Sequence, residues 1–275
     1  MNEETTHDDT QYSDIHRILL THFRAIHCIS QKQAYQDLQL IVQALSQEED
    51  DAEVSVSSLL ESYISDINKR ISDHGFKIDK RNHELTGELY YIFINQQVDE
   101  VIKSNSNYSP PELDAIRGLI DSIIQSYDYQ NSISKTNAQQ AIASSLSRSL
   151  RDAQYLIMRL IDDGWFALTL NDHLILSLQS TSELKPYLIS RFGISDEVNY
   201  GKLLLCRQCN DLVTIGYKCK SDECPISFHY KCYNIFVRNN PGNTSCISGR
   251  CTTTWTIDGL IRVGVEPQFL ESTIS

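Results

Sequence analysis

Apolar residues recur along this chain with two different periods, and the changes between them divide it into blocks. Ile15, Ile18, Leu19, Phe23 and Ile26 return every three or four residues from Tyr12 onward, placing one apolar stripe along a helix. Ala34, Tyr35, Leu38, Ile41, Val42 and Leu45 predict a second helix, and Leu59, Leu60, Tyr63, Ile64, Ile67 and Ile71 a third. The period then becomes that of extended chain. Phe76–Asp79 and Leu89–Ile94 are rich in β-branched and aromatic residues, with turn formers from Asn82 to Gly87 between them. Three helices followed by a hairpin is the layout of a winged helix.

The same layout then repeats. Ser109-Pro110-Pro111-Glu112 is a helix start, with Ser as N-cap, Pro at the first helical position and Glu three residues after the cap. Ile116, Leu119, Ile120, Ile123 and Ile124 supply its apolar face. A shorter helix is predicted after Thr136, carrying Ala138, Ala141, Ile142 and Leu146. A third, from about Ser149, carries Ala153, Leu156, Ile157, Leu160 and Ile161, with Gly164 at its C-terminus. Trp165–Leu170 and His173–Leu178 read as strands around the tight-turn pair Asn171-Asp172. Glu183–Phe192 reads as a last short helix.

These blocks predict an α+β, mainly helical chain of tandem winged-helix domains followed by a small zinc domain. The expected divisions are a disordered acidic tail at 1–11, winged helices at 12–100 and 101–192, a linker at 193–199, the zinc domain at 200–255 and a C-terminal tail at 256–275. Glu48-Glu49-Asp50-Asp51 reads as a solvated loop. The 275 residues allow two or three small domains. No apolar run approaches the roughly 18 residues of a membrane span, and the acidic start is unlike a secretory signal. Cytoplasm or nucleus is the expected location.

A reducing compartment makes clustered cysteines metal ligands rather than disulfides. The spacing is Cys206-x2-Cys209-x9-Cys219-x4-Cys224-x4-His229-x2-Cys232-x13-Cys246-x4-Cys251. Thiolates and imidazole suit tetrahedral zinc, and eight donors make two closed sites with no open position for hydrolytic chemistry. Such a short module would be held together by its metal rather than by apolar burial. A cross-brace would set Cys206, Cys209, His229 and Cys232 on one ion and Cys219, Cys224, Cys246 and Cys251 on the other. A sequential pairing would instead give an elongated shape. Phe228, Phe236, Val237 and Trp255 are the expected packing residues, and Lys218, Lys220 and Arg250 an expected solvated face. Cys28 reads as a small hydrophobe in an apolar helical stretch. His16, His22 and His27 do not share a face as ligands, and the sequons at Asn107 and Asn243 carry little weight in such a compartment.

No catalytic or cofactor-binding constellation besides zinc is present: there is no Gly-rich phosphate loop, nucleophile elbow or zinc-protease motif. The net charge of −12 argues against a non-specific nucleic-acid coat. Residues 201–255 hold seven Lys or Arg against three Asp or Glu, so that window is +4 and the remainder −16. Arg148, Arg151 and Arg159 are candidates for phosphate contact in the second winged helix.

Two winged-helix units followed by four Cys, one His and three Cys resemble the non-SMC element one subunit of the SMC five/six genome-maintenance complex. Leu85-Thr86-Gly87-Glu88-Leu89-Tyr90-Tyr91-Ile92-Phe93-Ile94-Asn95 resembles that family's first wing. Tyr108–Leu113, Leu160–Trp165, Phe228-His229 with Cys232, and Cys251–Trp255 resemble its later landmarks. The resemblance covers roughly residues 12–255. It implies a nuclear RING-like ubiquitin ligase subunit acting in DNA repair and chromosome maintenance. Its partners would be a MAGE-type winged-helix subunit bound through residues 12–192, kleisin and SMC subunits, and a ubiquitin-conjugating enzyme, with DNA reached through the assembly and no membrane. A RING acts by orientation, restraining the ubiquitin thioester in a reactive pose. Arg207-Gln208, Ile247–Arg250 and Thr252 depart from active RING ligases, so the implied activity depends on a partner. The alternative is a non-catalytic interaction module or PHD-like histone reader, although Thr244 stands where such readers carry an aromatic residue.

Overall fold

The computed structural model describes residues 12–45, 56–96, 107–196, 198–242, 244–255 and 259–265. The expected tail at 1–11, the acidic loop at 48–51 and the sequon residue Asn243 lie outside them. The chain divides into two compact units: residues 1–81 with 88–96, and residues 82–87 with 97–275.

In the first unit, α1 (Asp14–Ile26), β1 (Cys28–Ser30), α2 (Gln31–Leu45) and α3 (Val56–Ile71) precede the strands β2 (Phe76–Asn82) and β3 (Leu89–Asn95). The sheet order is β1-β3-β2, with Cys28 opposite Ile92 and Ser30 opposite Tyr90. Helix α1 ends because His27 takes φ 63°, its N–H bonding the Phe23 carbonyl at 2.9 Å. Cys28 therefore starts a strand rather than continuing a helix. Its thiol is pushed up to about 12 by burial, which leaves it an inert small hydrophobe. Leu19, Phe23, Leu38, Leu60, Ile67, Ile78 and Tyr91 form the core. Ile18, Ile26 and Leu45 of the predicted stripes stay exposed at its margin. Asn68 ties α3 to β2, accepting from the Ile78 N–H at 2.8 Å and donating to its carbonyl at 2.9 Å.

The second unit repeats this order. Helix α4 (Pro110–Ile124), β4 (Ile133–Ser134), α5 (Lys135–Leu146) and α6 (Leu150–Asp162) lead into β5 (Phe166–Leu168) and β6 (His173–Leu176), in sheet order β4-β6-β5. Helix α4 carries the expected capping box between Ser109 and Glu112. The single helix expected over Glu183–Phe192 is instead two, α7 (Leu178–Glu183) and α8 (Lys185–Phe192). Pro186, which has no N–H to donate, sits in the first turn of α8 rather than inside a longer helix. Residues 193–199 are paired with the chain that follows them: Ser195 donates to the Leu203 carbonyl at 2.7 Å and Leu203 to Gly193 at 3.0 Å. Leu203 and Leu212 then pack in one core with Ile116, Ile120, Ile157 and Leu188. The cysteine-rich stretch is thus continuous with the second winged helix.

The third sheet, in order β8-β7-β9, is built from β7 (Gly216–Cys219), β8 (Ser227–Phe228) and β9 (Leu260–Val263). Helix α9 (Tyr230–Asn239) follows β8. Strand β9 corrects the expectation that 256–275 is a tail. Leu260–Val263 pairs residue for residue with Cys219–Gly216, and Val263 is fully buried. Among the described residues no helix is long and apolar enough to cross a membrane.

Candidate metal centres

Each donor pair sits on a turn that the local chain makes for its own reasons. Cys206 and Cys209 flank a knuckle in which the Asn210 N–H reaches the Cys206 carbonyl at 2.8 Å. Asn210 takes φ 61°, a region that Asn tolerates better than most residues. Cys219 ends β7 and Cys224 follows a turn closed by its N–H to Ser221 at 3.1 Å. His229 is the N-cap of α9, which brings Cys232 into the first turn, where the helix dipole favours a thiolate. Cys246 and Cys251 close a loop in which the Cys251 N–H bonds Ser248 at 3.1 Å.

The fold gathers these donors into two quartets. Cys206, Cys209, His229 and Cys232 form one, Cys219, Cys224, Cys246 and Cys251 the other, and within each the donor atoms lie within 4.8 Å of one another. The first and third donor pairs along the chain share one quartet, and the second and fourth share the other. The sequential pairing is not the one the chain adopts. Within the quartets Cys224 Sγ lies 3.5 Å from Cys246 Sγ and Cys219 Sγ 3.8 Å from Cys251 Sγ. His229 Nδ1 lies 3.3 Å from Cys209 Sγ and 3.8 Å from Cys232 Sγ.

These separations fit zinc. Bonds of about 2.3 Å to sulfur and about 2.0 Å to nitrogen in a tetrahedron imply donor–donor edges of about 3.5–3.8 Å. A disulfide needs sulfurs about 2.05 Å apart, and all eight cysteines are free. Hydrogen bonding to Cys209 holds the Cys206 thiol down to about 3, with His229 adding to the effect against burial. Burial raises Cys251, but bonds with Thr253, Cys219 and Cys246 outweigh it and bring the thiol down to about 6. Thiols held low are ready for a metal, which binds the thiolate. Each quartet is closed by four protein donors, which suits two structural zinc ions and leaves no position for an activated water.

Packing around the quartets is aromatic. Trp255 meets Phe228 and Phe236 with ring centroids 5.8 Å away in both cases, and Phe228 is 1% exposed. Val237, expected among these residues, is 44% exposed because the apolar face of α9 turns Tyr233 and Phe236 inward instead. Lys218 is the larger correction. It is 2% exposed rather than solvated, and its ammonium donates to the carbonyls of Cys219 at 3.1 Å and Ser221 at 3.0 Å. Burial pulls its pKa down while the nearby sulfurs of Cys219, Cys224 and Cys251 oppose the shift.

Sequence reasoning also passed over Glu84, read only as part of a turn. Its carboxylate, 10% exposed, accepts from the N–H groups of Thr214 at 2.8 Å and Ile215 at 2.7 Å and from the Thr214 hydroxyl at 2.8 Å. The same carboxylate stands 3.6 Å from His229 Nε2.

Two winged helices and two closed cysteine–histidine quartets define an α+β zinc-binding subunit with a RING-like module. Residues 16–184 match the family described as the Nse1 non-SMC component of the SMC5-6 complex, and residues 206–255 match the RING-like domain. The chain belongs to the Nse1 family. It is 24% identical over 204 residues to non-structural maintenance of chromosomes element 1 of Schizosaccharomyces pombe, covering 72% of this chain and 78% of that protein. A Xenopus tropicalis homolog is 23% identical over 198 residues, covering 71% and 68%. The fold matches a chain of a solved Nse1-Nse3-Nse4 complex with a TM-score of 0.70 at 16% identity, covering 87% of this chain and 96% of that one.

Proposed function

We propose that this chain is the RING-like ubiquitin ligase subunit of an SMC five/six complex. In this reading it acts in DNA repair and chromosome maintenance in the nucleus. Cys206, Cys209, His229 and Cys232 hold one zinc ion, and Cys219, Cys224, Cys246 and Cys251 hold the second. The observation that carries the reading is the interleaving of the two quartets along one short segment. Two metals bound this way brace a surface without offering either as a reaction centre. The chemistry left to the protein is to hold a charged conjugating enzyme and restrict its thioester, which is catalysis by orientation. The likeness to a chain of the Nse1-Nse3-Nse4 complex supports a MAGE-type subunit and a kleisin as the partners, the former meeting residues 12–192.

The test is single-turnover discharge of ubiquitin from a panel of conjugating enzymes, using the zinc-loaded chain together with its MAGE-type partner. Faster discharge than with the partner alone is expected, with His229→Ala abolishing the gain. No acceleration with any conjugating enzyme rejects the ligase reading.

A second reading, a non-catalytic interaction module, has its own support. Arg207 and Gln208 in the first ligand loop and Thr252 after the last cysteine are exposed and polar. Those positions in active RING ligases commonly carry an apolar contact and a basic clamp. A module that binds the partner and two zinc ions without accelerating discharge would match this reading.

A further inference from the structure

A zinc-bound histidine uses one ring nitrogen for the metal, and whatever the other nitrogen meets fixes the tautomer and the direction of the ring. The Nδ1 edge of His229 faces sulfur, 3.3 Å from Cys209 and 3.8 Å from Cys232. The Nε2 edge faces oxygen: the Leu212 carbonyl at 2.9 Å and the Glu84 carboxylate at 3.6 Å. Both side chains are enclosed, with His229 8% and Glu84 10% exposed.

Glu84 is held firmly enough to act as a reference point for that ring. Three donors from Thr214 and Ile215 bind its carboxylate, and those residues lie in the segment joining the first two donor pairs. The neighbouring Leu85 packs with Ile175, Ile215 and Val265. Lys231, between His229 and Cys232, donates to the Gly87 carbonyl at 3.0 Å. Gly87 has φ 66°, and a β-carbon there would collide with that lysine side chain. Residues 82–87 are thereby fixed against the two stretches of chain that supply Cys206, Cys209, His229 and Cys232.

We infer that Glu84 is the outer-sphere positioning residue of the His229 zinc site. It keeps the proton on Nε2, aims Nδ1 at the metal and fixes the 212–215 segment whose Leu212 carbonyl takes that proton. A carboxylate facing the far nitrogen also makes the metal-facing nitrogen a better donor, as in other carboxylate–histidine–zinc arrangements. The other quartet holds four sulfurs and no imidazole that would need orienting. The inference rests on the zinc assignment proposed above and is independent of the ligase reading.

The test uses the full-length chain loaded with zinc. Two ions per chain are expected, and fewer than two rejects the ligand assignment itself. Zinc release to a colorimetric chelator is then followed for wild type, Glu84→Gln and Glu84→Ala. Glu84→Gln keeps the shape and removes the charge. One of the two ions should leave about 10–100-fold faster in the variants while the other keeps its wild-type rate. Two ions with unchanged release, or both accelerated equally, overturn the role of Glu84 while leaving the ligand assignment standing. Nitrogen-15 NMR of the unmodified protein adds a reading that does not depend on a variant folding. His229 should carry a slowly exchanging proton on Nε2 with the metal on Nδ1, and a protonated Nδ1 overturns the inference.

Discussion

Arg148 meets the carboxylate of Glu112 at 2.8 Å, linking the residue before the N-cap of α6 to the first turn of α4. Glu112 also accepts from the Ser109 N–H and hydroxyl, both at 2.9 Å, and lies 3.6 Å from Arg159. Arg159 in turn covers the Tyr108 ring at 4.4 Å, and Tyr108 donates to Asp163 at 2.6 Å. Two of the three arginines considered as phosphate contacts are therefore engaged inside the second winged helix.

This arrangement predicts a pH-dependent stability. Burial alone would raise Glu112, but the Ser109 bonds and the two arginines outweigh it and hold the carboxyl at about 2, against an ordinary 4.5. Because the folded pKa is depressed, the stabilisation is complete above about pH 4.5 and is lost as pH falls towards 2. Glu112→Gln should cost about 1–2 kcal/mol at pH 7, the arginines being partly exposed and screened. Thermal unfolding of both proteins from pH 7 to pH 3 at equal zinc content checks this. A gap that stays constant across that range contradicts it.

Lys218 supplies a second prediction. A zinc ion with four thiolates carries two net negative charges, and the buried ammonium sits among the carbonyls of the same loop. Lys218→Met removes the cation and leaves those carbonyls without its donation, a loss of about 1–3 kcal/mol. Zinc should leave the four-sulfur site faster while the His229 site keeps its rate. Biphasic release in a chelator assay reads both at once.

Strand spacing beside His229 gives a third. A β-carbon at Gly216 would overlap the Phe228 carbonyl oxygen and approach the His229 Cα at 3.0 Å. Gly216→Ala must push β7 and β8 apart, at a cost of about 1–3 kcal/mol for overpacking. A lowered unfolding temperature of the zinc module is expected, whereas unaltered melting would mean the strands can separate freely.

Metal removal should separate the chain's parts. Zinc contributes on the order of 10–16 kcal/mol to small finger modules, and the apolar cluster around Trp255 is small. A strong chelator should therefore expose Trp255 and shift its fluorescence to the red. Most far-ultraviolet helical signal should survive, because the cores around Leu60 and Ile157 contain no metal donor. Simultaneous loss of both signals would contradict this independence.

The helices were legible because a 3.6-residue period needs only local sequence. Strands β1 and β4 were not, since three and two residues are too few to establish an alternation. Strand β9 pairs with a partner far back in the chain, and nothing in Leu260–Val263 names that partner. The donors were legible from their spacing, because chelation by adjacent pairs restricts it. Lys218 was misread since a charge in a short strand looks the same whether it faces water or backbone carbonyls. Glu84 carried no signal at all: its role comes from Thr214, Ile215 and His229, more than a hundred residues away along the chain.

Residues 82–87 belong to the second unit, although the strands that carry them lie mainly in the first. The order of folding units in space is therefore not their order along the gene. A truncation that removes the first winged helix also removes Glu84, and with it three acceptor contacts to the Thr214–Ile215 backbone and hydroxyl. An activity lost from such a fragment would report on the zinc module as readily as on the deleted residues. Deletion mapping of this chain needs the six-residue tip restored, or the two causes cannot be told apart.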